Sequence, residues 1–279
     1  MLFGPAGIPL SSTEGGTVDG IRTVKKLGLG AMELEFVRGV YLSKKHSSEA
    51  RKEAKNLNIS LSCHAPYWIN CCAKEKIKLK RTIRNLLDTA RAAHASGAHI
   101  IVFHPGYYMG RPASACAKLV KATLQTTLEK MHEAKIHDVF LGPELAGKVS
   151  QFGSLDEIIA LSKELPQTKP VIDFAHYHAR NNGLVKGKED YEVIFKKLEK
   201  ELGSSAVKNF HAHFSEIEYT QKGERRHLEL GASNEPPYLP LMQLCAEKGY
   251  SGTVICESPL LEQDALKLQK TYSLYSSRQ

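Results

Sequence analysis

The chain has 279 residues, 42% of them hydrophobic and 24% charged, an ordinary globular composition with apolar material for one large domain or two modest ones. Lys and Arg exceed Asp and Glu by eight, an excess that serves solubility as well as it serves a polyanionic partner. No stretch reaches the roughly 18 apolar residues a membrane helix needs, and "MLFGPAGIPL" lacks the basic start and long apolar run of a signal peptide.

Short apolar runs alternate with longer amphipathic ones. The expected strands, in chain order, are "LFGPAGI", "AMELEF", "ISLSCH", "HIIVFH", "VFLGPE", "PVIDF", "NFHAHF" and "GTVICE". Between them Ile83, Leu86, Leu87 and Ala90 space out one helical face, and Val120, Leu124, Leu128 and Met131 another. Ser154 with Glu157 three residues on reads as a capping box. Tyr191, Ile194, Phe195, Leu198 and Leu202 mark a further helix, stopped by Gly203. Eight β–α units without a Pro/Gly/Ser-rich linker imply a parallel sheet, since each strand needs a crossover helix before the next. The size fits one (β/α)8 TIM barrel domain over residues 1–279. The competitor, a doubly wound open sheet, usually carries a Gly-rich phosphate loop after its first strand, and "GPAGIPLSS" is not one.

The ends of these strands carry the chemistry. His64, His104, Glu144, Asp173, His211 and Glu257 lie on six consecutive expected strands, and in a barrel those ends converge on one face. A lone His there is more often a hydrogen-bonded loop residue, but six such readings would have to hold independently. Imidazoles and carboxylates without a Cys partner suit Zn, Mn or Mg, and two or more imidazoles favour Zn or Mn. The six cysteines form no C-x-x-C pair and sit in apolar surroundings, as reduced cytoplasmic thiols do.

With "CHAPYWIN", "FHPG", "PELAGK", "IDFAH", "FHAHFSE", "ERRHLELG" and "ICESP" in order, the chain resembles the endonuclease IV family of apurinic/apyrimidinic endonucleases over essentially its whole length. The resemblance implies a zinc-dependent DNA-repair barrel that cuts 5′ to abasic sites in double-stranded DNA. Carried over, His64, His104 and Glu144 hold one ion. Glu144 bridges to a second, held also by Asp173, His211 and Glu257, with Glu144 and Glu257 as the catalytic carboxylates. A third ion in the family takes the His of D-x-x-H, here His176, with the Asp and His of a D-x-H pair. That pair aligns with Arg225-Arg226-His227, so a cation stands where a carboxylate ligand belongs. Either the third site is absent, or Glu224, Glu216 or Glu229 reaches in. "GPAGIP" also lacks the His-containing start common in the family.

Tyr67 and Trp68 match family residues that insert into DNA at the lesion, and Arg38 in "EFVRGV", in the loop after the second strand, is a weaker candidate for a DNA contact. Two ions roughly 3.5–4 Å apart would activate water and offset phosphoryl charge. The basic runs "KEKIKLKRTIR" and "KKLEK" read as solvated helix faces, and His178 has no assigned role. A monomer is the default. The rival reading is a xylose-isomerase-like sugar isomerase or epimerase using one divalent ion on Glu144, Asp173, His211 and Glu257. A non-catalytic binder of damaged DNA would keep Trp68 and lose the ligands.

Overall fold

The computed structural model describes residues 1–277, so the last two residues of the expected domain span lie outside the described residues. The apolar runs become β1 (Leu2–Pro5), β2 (Ala31–Glu35), β3 (Ser60–His64), β4 (Ile100–Phe103), β5 (Phe140–Pro143), β6 (Val171–Asp173) and β7 (Phe210–Phe214). A hairpin of β8 (Glu216–Thr220) and β9 (Gly223–Leu228) follows, then β10 (Gly252–Cys256). Hydrogen bonding groups the long-range strands into two parallel sheets, β1-β10-β7-β6 and β2-β3-β4-β5. Isolated bridges join them: Ala6 to Glu33 at one seam, Leu141 to Thr168 and Glu144 to Val171 at the other. Gly7 N donates to Glu33 O and Leu145 N to Val171 O, both at 3.0 Å. The fold is the expected (β/α)8 barrel, with the hairpin inserted into its seventh unit.

The outer ring is α1 (Gly16–Lys26), α2 (Lys44–Leu57), α3 (Lys76–Ser96), α4 (Ala113–Glu133), α5 (Leu155–Glu164), α6 (Phe174–Arg180), α7 (Lys188–Leu202), α8 (Ser204–Lys208), α9 (Tyr238–Lys248) and α10 (Glu262–Ser276). Local signals set their ends. Ser154 and Glu157 form the capping box that opens α5, and Gly97 in the left-handed region closes α3. The faces read from spacing turn inward: Val120, Leu124, Leu128 and Met131 of α4 are buried, as are Tyr191, Ile194, Phe195 and Leu198 of α7. Each fully buried Leu or Ile contributes roughly 1.5–3 kcal/mol. Among the described residues no helix is long and apolar enough to cross a membrane. All six cysteines are free and buried, and burial pushes the Cys71 thiol up to about 12, which keeps it protonated and unreactive.

Candidate metal centre

Seven strands deliver titratable groups to the C-terminal mouth of the barrel. Glu144, just past β5, is fully buried at the middle. Its Oε2 lies 3.3 Å from His64 Nε2 and 3.3 Å from His104 Nδ1. Its Oε1 lies 3.0 Å from His213 Nδ1 and 3.5 Å from His176 Nδ1. His64 Nδ1 faces Ala65 O at 2.9 Å, which a proton on Nδ1 satisfies and which leaves Nε2 as the atom that meets Glu144. Two donor groups result, His64–His104–Glu144 and Glu144–Asp173–His213–Glu257, with the donor atoms of each within 4.8 Å of one another. β1 contributes no titratable group. Its neighbour β2 brings Glu35 level with His64, and one oxygen of Glu35 is sealed from solvent without a hydrogen-bond partner.

His213 stands where the sequence reading put His211. The two share one face of β7, because side chains of a strand repeat every second residue. Depth is set by pairing: Asp173 of β6 lies beside His213, and Val171 beside His211. His211 therefore sits one layer lower, its Nε2 3.3 Å from Glu33 Oε2. Glu33 and Glu35 were not singled out in the sequence. Their signal was the two inward-facing acids of "AMELEF", alternating in an otherwise apolar strand.

The hairpin supplies a third group. His176 lies on the first turn of α6, and Asp173 caps that helix by accepting from His176 N at 2.6 Å. His176 Nε2 meets Glu224 Oε2 at 2.9 Å, and His227 Nε2 lies 3.8 Å from Glu257 Oε2. Glu224 and His227 are three apart and would face opposite ways on a flat strand. A β-bulge corrects this, since Tyr219 pairs with Glu224 and Glu218 with Arg226, leaving Arg225 as the extra residue. Arg225 and Arg226 both turn outward onto Glu218. Of the three acids weighed for this place, Glu224 reaches in. Glu216 instead accepts from the backbone N–H groups of Gly231, Ser233 and Asn234, and Glu229 is exposed. Gly147 of "PELAGK" makes room, because a Cβ there would lie 2.1 Å from Glu224 Oε2 and 2.8 Å from His176 Cδ2.

The donors fit a cation. His104 Nδ1, Asp173 Oδ2, Glu224 Oε2 and Glu257 Oε2 are buried without an aligned hydrogen-bond partner, a costly state that an ion relieves. Without an ion the groups neutralise one another. Burial opposes charge on Glu144, yet the rings of His104 and His213 hold its carboxyl well below the usual range. Burial likewise opposes the His64 imidazolium, but its contact with Glu144 and the charge of Glu35 lift it to about 10. Asp173 goes up to about 8, from burial and then, against the pull of His176, from the charges of Glu257 and Glu144.

These shifts fix a pH dependence. His64, at about 10 against its ordinary 6.5, contributes stability that is complete below pH 6.5 and lost as pH rises through 10. Asp173, raised from 3.8 to about 8, acts with the same sign: its contribution is complete below pH 3.8 and lost as pH rises through 8. Chelated protein is therefore expected to melt at progressively lower temperature from pH 6.5 to 10. Protein loaded with a divalent metal should be much flatter, since an ion would replace those protons. Thermal unfolding with and without chelator tests this, and a chelated protein that gains stability over that window contradicts it.

The remaining expected site residues ring the mouth. Tyr67 and Trp68 are 67% and 54% exposed, unusual for large aromatics outside a contact surface. Trp68 Nε1–H donates to Arg38 O at 3.3 Å, and the Arg81 guanidinium lies 5.7 Å from its ring. Arg38 is exposed beside them. A cleft of about 240 Å³ between this loop and the centre is lined by His64, Tyr67, His104, Lys148 and Glu224. His178 lies apart, buried edge-on against Tyr219 with ring centroids 5.0 Å apart.

A family profile described as xylose isomerase-like TIM barrel matches residues 21–272, and the chain belongs to that family. The kinship with endonuclease IV proteins is a divergent one. An uncharacterized protein of Methanocaldococcus jannaschii, MJ0133, is 40% identical over 98% of this chain and 97% of its own. A probable endonuclease 4 of Mycoplasma pneumoniae is 28% identical over 64% of this chain, which spans 61% of that relative. Two solved structures share the fold. Endonuclease IV from Thermus thermophilus has a TM-score of 0.72 at 18% identity, covering 96% of each chain. A D-tagatose 3-epimerase-like protein has 0.71 at 19%, covering 100% of this chain and 98% of its own.

Proposed function

We propose that this chain is a divalent-metal phosphodiesterase that cuts DNA 5′ to abasic sites, in base excision repair. The third donor group, His176, His227 and Glu257 with Glu224 2.9 Å from His176, carries this reading. A sugar isomerase or epimerase on this barrel needs one ion, for which Glu144, Asp173, His213 and Glu257 suffice. It has no use for His64 with His104 on one flank and the hairpin's group on the other. Zinc suits the imidazole-rich, thiol-free donors best, with manganese second. His64, His104 and Glu144 would hold one ion, Glu144, Asp173, His213 and Glu257 another, and His176, Glu224 and His227 a third. When bound, such ions supply Lewis-acid stabilisation of phosphoryl charge and a lowered pKa for the attacking water.

The chain's own groups do the rest. Glu144 and Glu257 each face two donor groups, so each ties neighbouring sites into one geometry. Lys148, 3.3 Å from Glu224 and lining the cleft, is placed to meet a phosphate. An abasic sugar can leave the stack at low cost because no base pair is broken. Tyr67 and Trp68 then fill the gap it leaves. The enzyme would act as a monomer in the cytoplasm, where its thiols stay reduced.

The test is nicking of a labelled duplex with one abasic-site analogue, with chelator and then with Zn or Mn restored. Chelator-sensitive cleavage 5′ to the lesion supports the proposal. Folded, metal-loaded protein that leaves the duplex intact but epimerises a ketose establishes the rival. Trp68→Ala should weaken binding to the abasic duplex by about 1–3 kcal/mol more than to intact duplex, the scale of one lost stack. Equal weakening on both duplexes would reduce Trp68 to general affinity.

A further inference from the structure

Beneath the ring of donors the barrel holds a second polar layer. Glu33, Ser62, His211 and His213 are all buried there, Glu33 and His213 completely. Ser62 Oγ donates to Glu33 Oε2 at 2.6 Å, and His211 Nε2 meets the same oxygen at 3.3 Å. The other oxygen, Oε1, lies 2.9 Å from His213 Nε2. On the far side of that ring, Nδ1 is 3.0 Å from Glu144 Oε1 and 3.2 Å from Glu257 Oε1. One imidazole thus stands between a carboxylate below and the donor carboxylates above.

A neutral imidazole has one ring proton and two places for it, and the neighbours decide which is used. A fully buried carboxylate needs a proton donor, because an unpaired charge there costs several kcal/mol. Glu33 Oε1 and His213 Nε2 lie 2.9 Å apart, and both are buried with no other hydrogen-bond partner. A proton on Nε2 answers that need and leaves the Nδ1 lone pair facing Glu144 and Glu257. A proton on Nδ1 would block the upper site and leave Glu33 facing a lone pair.

We propose that Glu33 is a positioning residue of the metal centre: it holds the His213 proton on Nε2, and Ser62 and His211 hold Glu33. The proposal rests on the metal reading of the upper donors. A cation lodged below instead, on Glu33, His211 and His213, would require His213 to give up both ring protons if the upper site is also filled. A carboxylate behind a ligating imidazole typically sustains affinity by about 10–100-fold.

Glu33→Gln keeps the shape and removes the charge; Glu33→Leu removes both. Zinc affinity, measured by competition with a chromophoric chelator, should fall about 10–100-fold in Glu33→Gln and at least as far in Glu33→Leu. Val102→Ala, a cavity in the same barrel, should lower the melting temperature without changing affinity. In histidine-labelled, zinc-loaded protein the ring ¹⁵N shifts of His213 should report Nε2 protonated and Nδ1 bound. Glu33→Gln should weaken the protection of that Nε2 proton, and Glu33→Leu should abolish it. If Glu33→Leu does not fold, Glu33→Gln alone decides. Affinity within about twofold of wild type, or an unchanged Nε2 proton, overturns the proposal. Loss of one whole metal equivalent with the upper affinity intact overturns it in favour of a buried cation. If wild-type protein takes up neither zinc nor manganese, the metal reading falls separately. The ring shifts of metal-free wild type and Glu33→Gln then decide whether Glu33 still holds the Nε2 proton.

Discussion

Glu144→Gln is expected to strip the protein of its ions and to lower cleavage of the abasic duplex on the order of 10³-fold or more. Glu144 belongs to two donor groups at once, with one oxygen toward His64 and His104 and the other toward His213 and His176. An amide offers a single acceptor and turns N–H donors toward rings that need a negative partner. Both groups fail together. The chelated variant should also lose stability, by up to about 3–5 kcal/mol, because imidazolium rings buried around position 144 lose their shared counter-charge. Metal content after dialysis, nicking rate and chemical denaturation measure the three effects. A variant that retains two metal equivalents and more than a tenth of the cleavage rate contradicts the bridging role.

Local patterns reached the sequence reader; register did not. The strands and the faces of α4 and α7 were legible because burial imposes periods of two and 3.6 on apolar residues. The strand-end donors His64, His104, Glu144, Asp173 and Glu257 were legible because each closes an apolar run. The choice between His211 and His213 was not, since both lie on the inward face and only pairing with β6 sets their depth. Glu33 and Glu35 were not legible as part of the centre, because two acids alternating in a short strand read equally as its solvent-facing side. The hairpin offered the weakest signal of all. It is mostly polar, its buried apolar residue is Ile217, and the bulge that aligns Glu224 with His227 contradicts simple alternation.

That bulge carries the second large effect. Glu224→Ala should remove one metal equivalent and lower cleavage on the order of 100-fold, while leaving the other two groups filled. Glu224 reaches His176 Nε2 at 2.9 Å, and His176 is pushed well above its usual pKa: burial opposes the charge, but Asp173 and Glu224 outweigh it. Without Glu224 that ring keeps Asp173 and Glu144 beside Nδ1 but loses the carboxylate that sits 2.9 Å from Nε2. Arg225→Asp is the control. It changes the residue aligned with the family's ligand, but Arg225 projects outward onto Glu218, so metal content and cleavage should stay within about twofold. If the bulge is as drawn, the two neighbouring substitutions part company. If Arg225→Asp instead raises metal content while Glu224→Ala changes nothing, β9 pairs one residue out of register, Arg225 faces the centre, and the third ion is absent from the native chain.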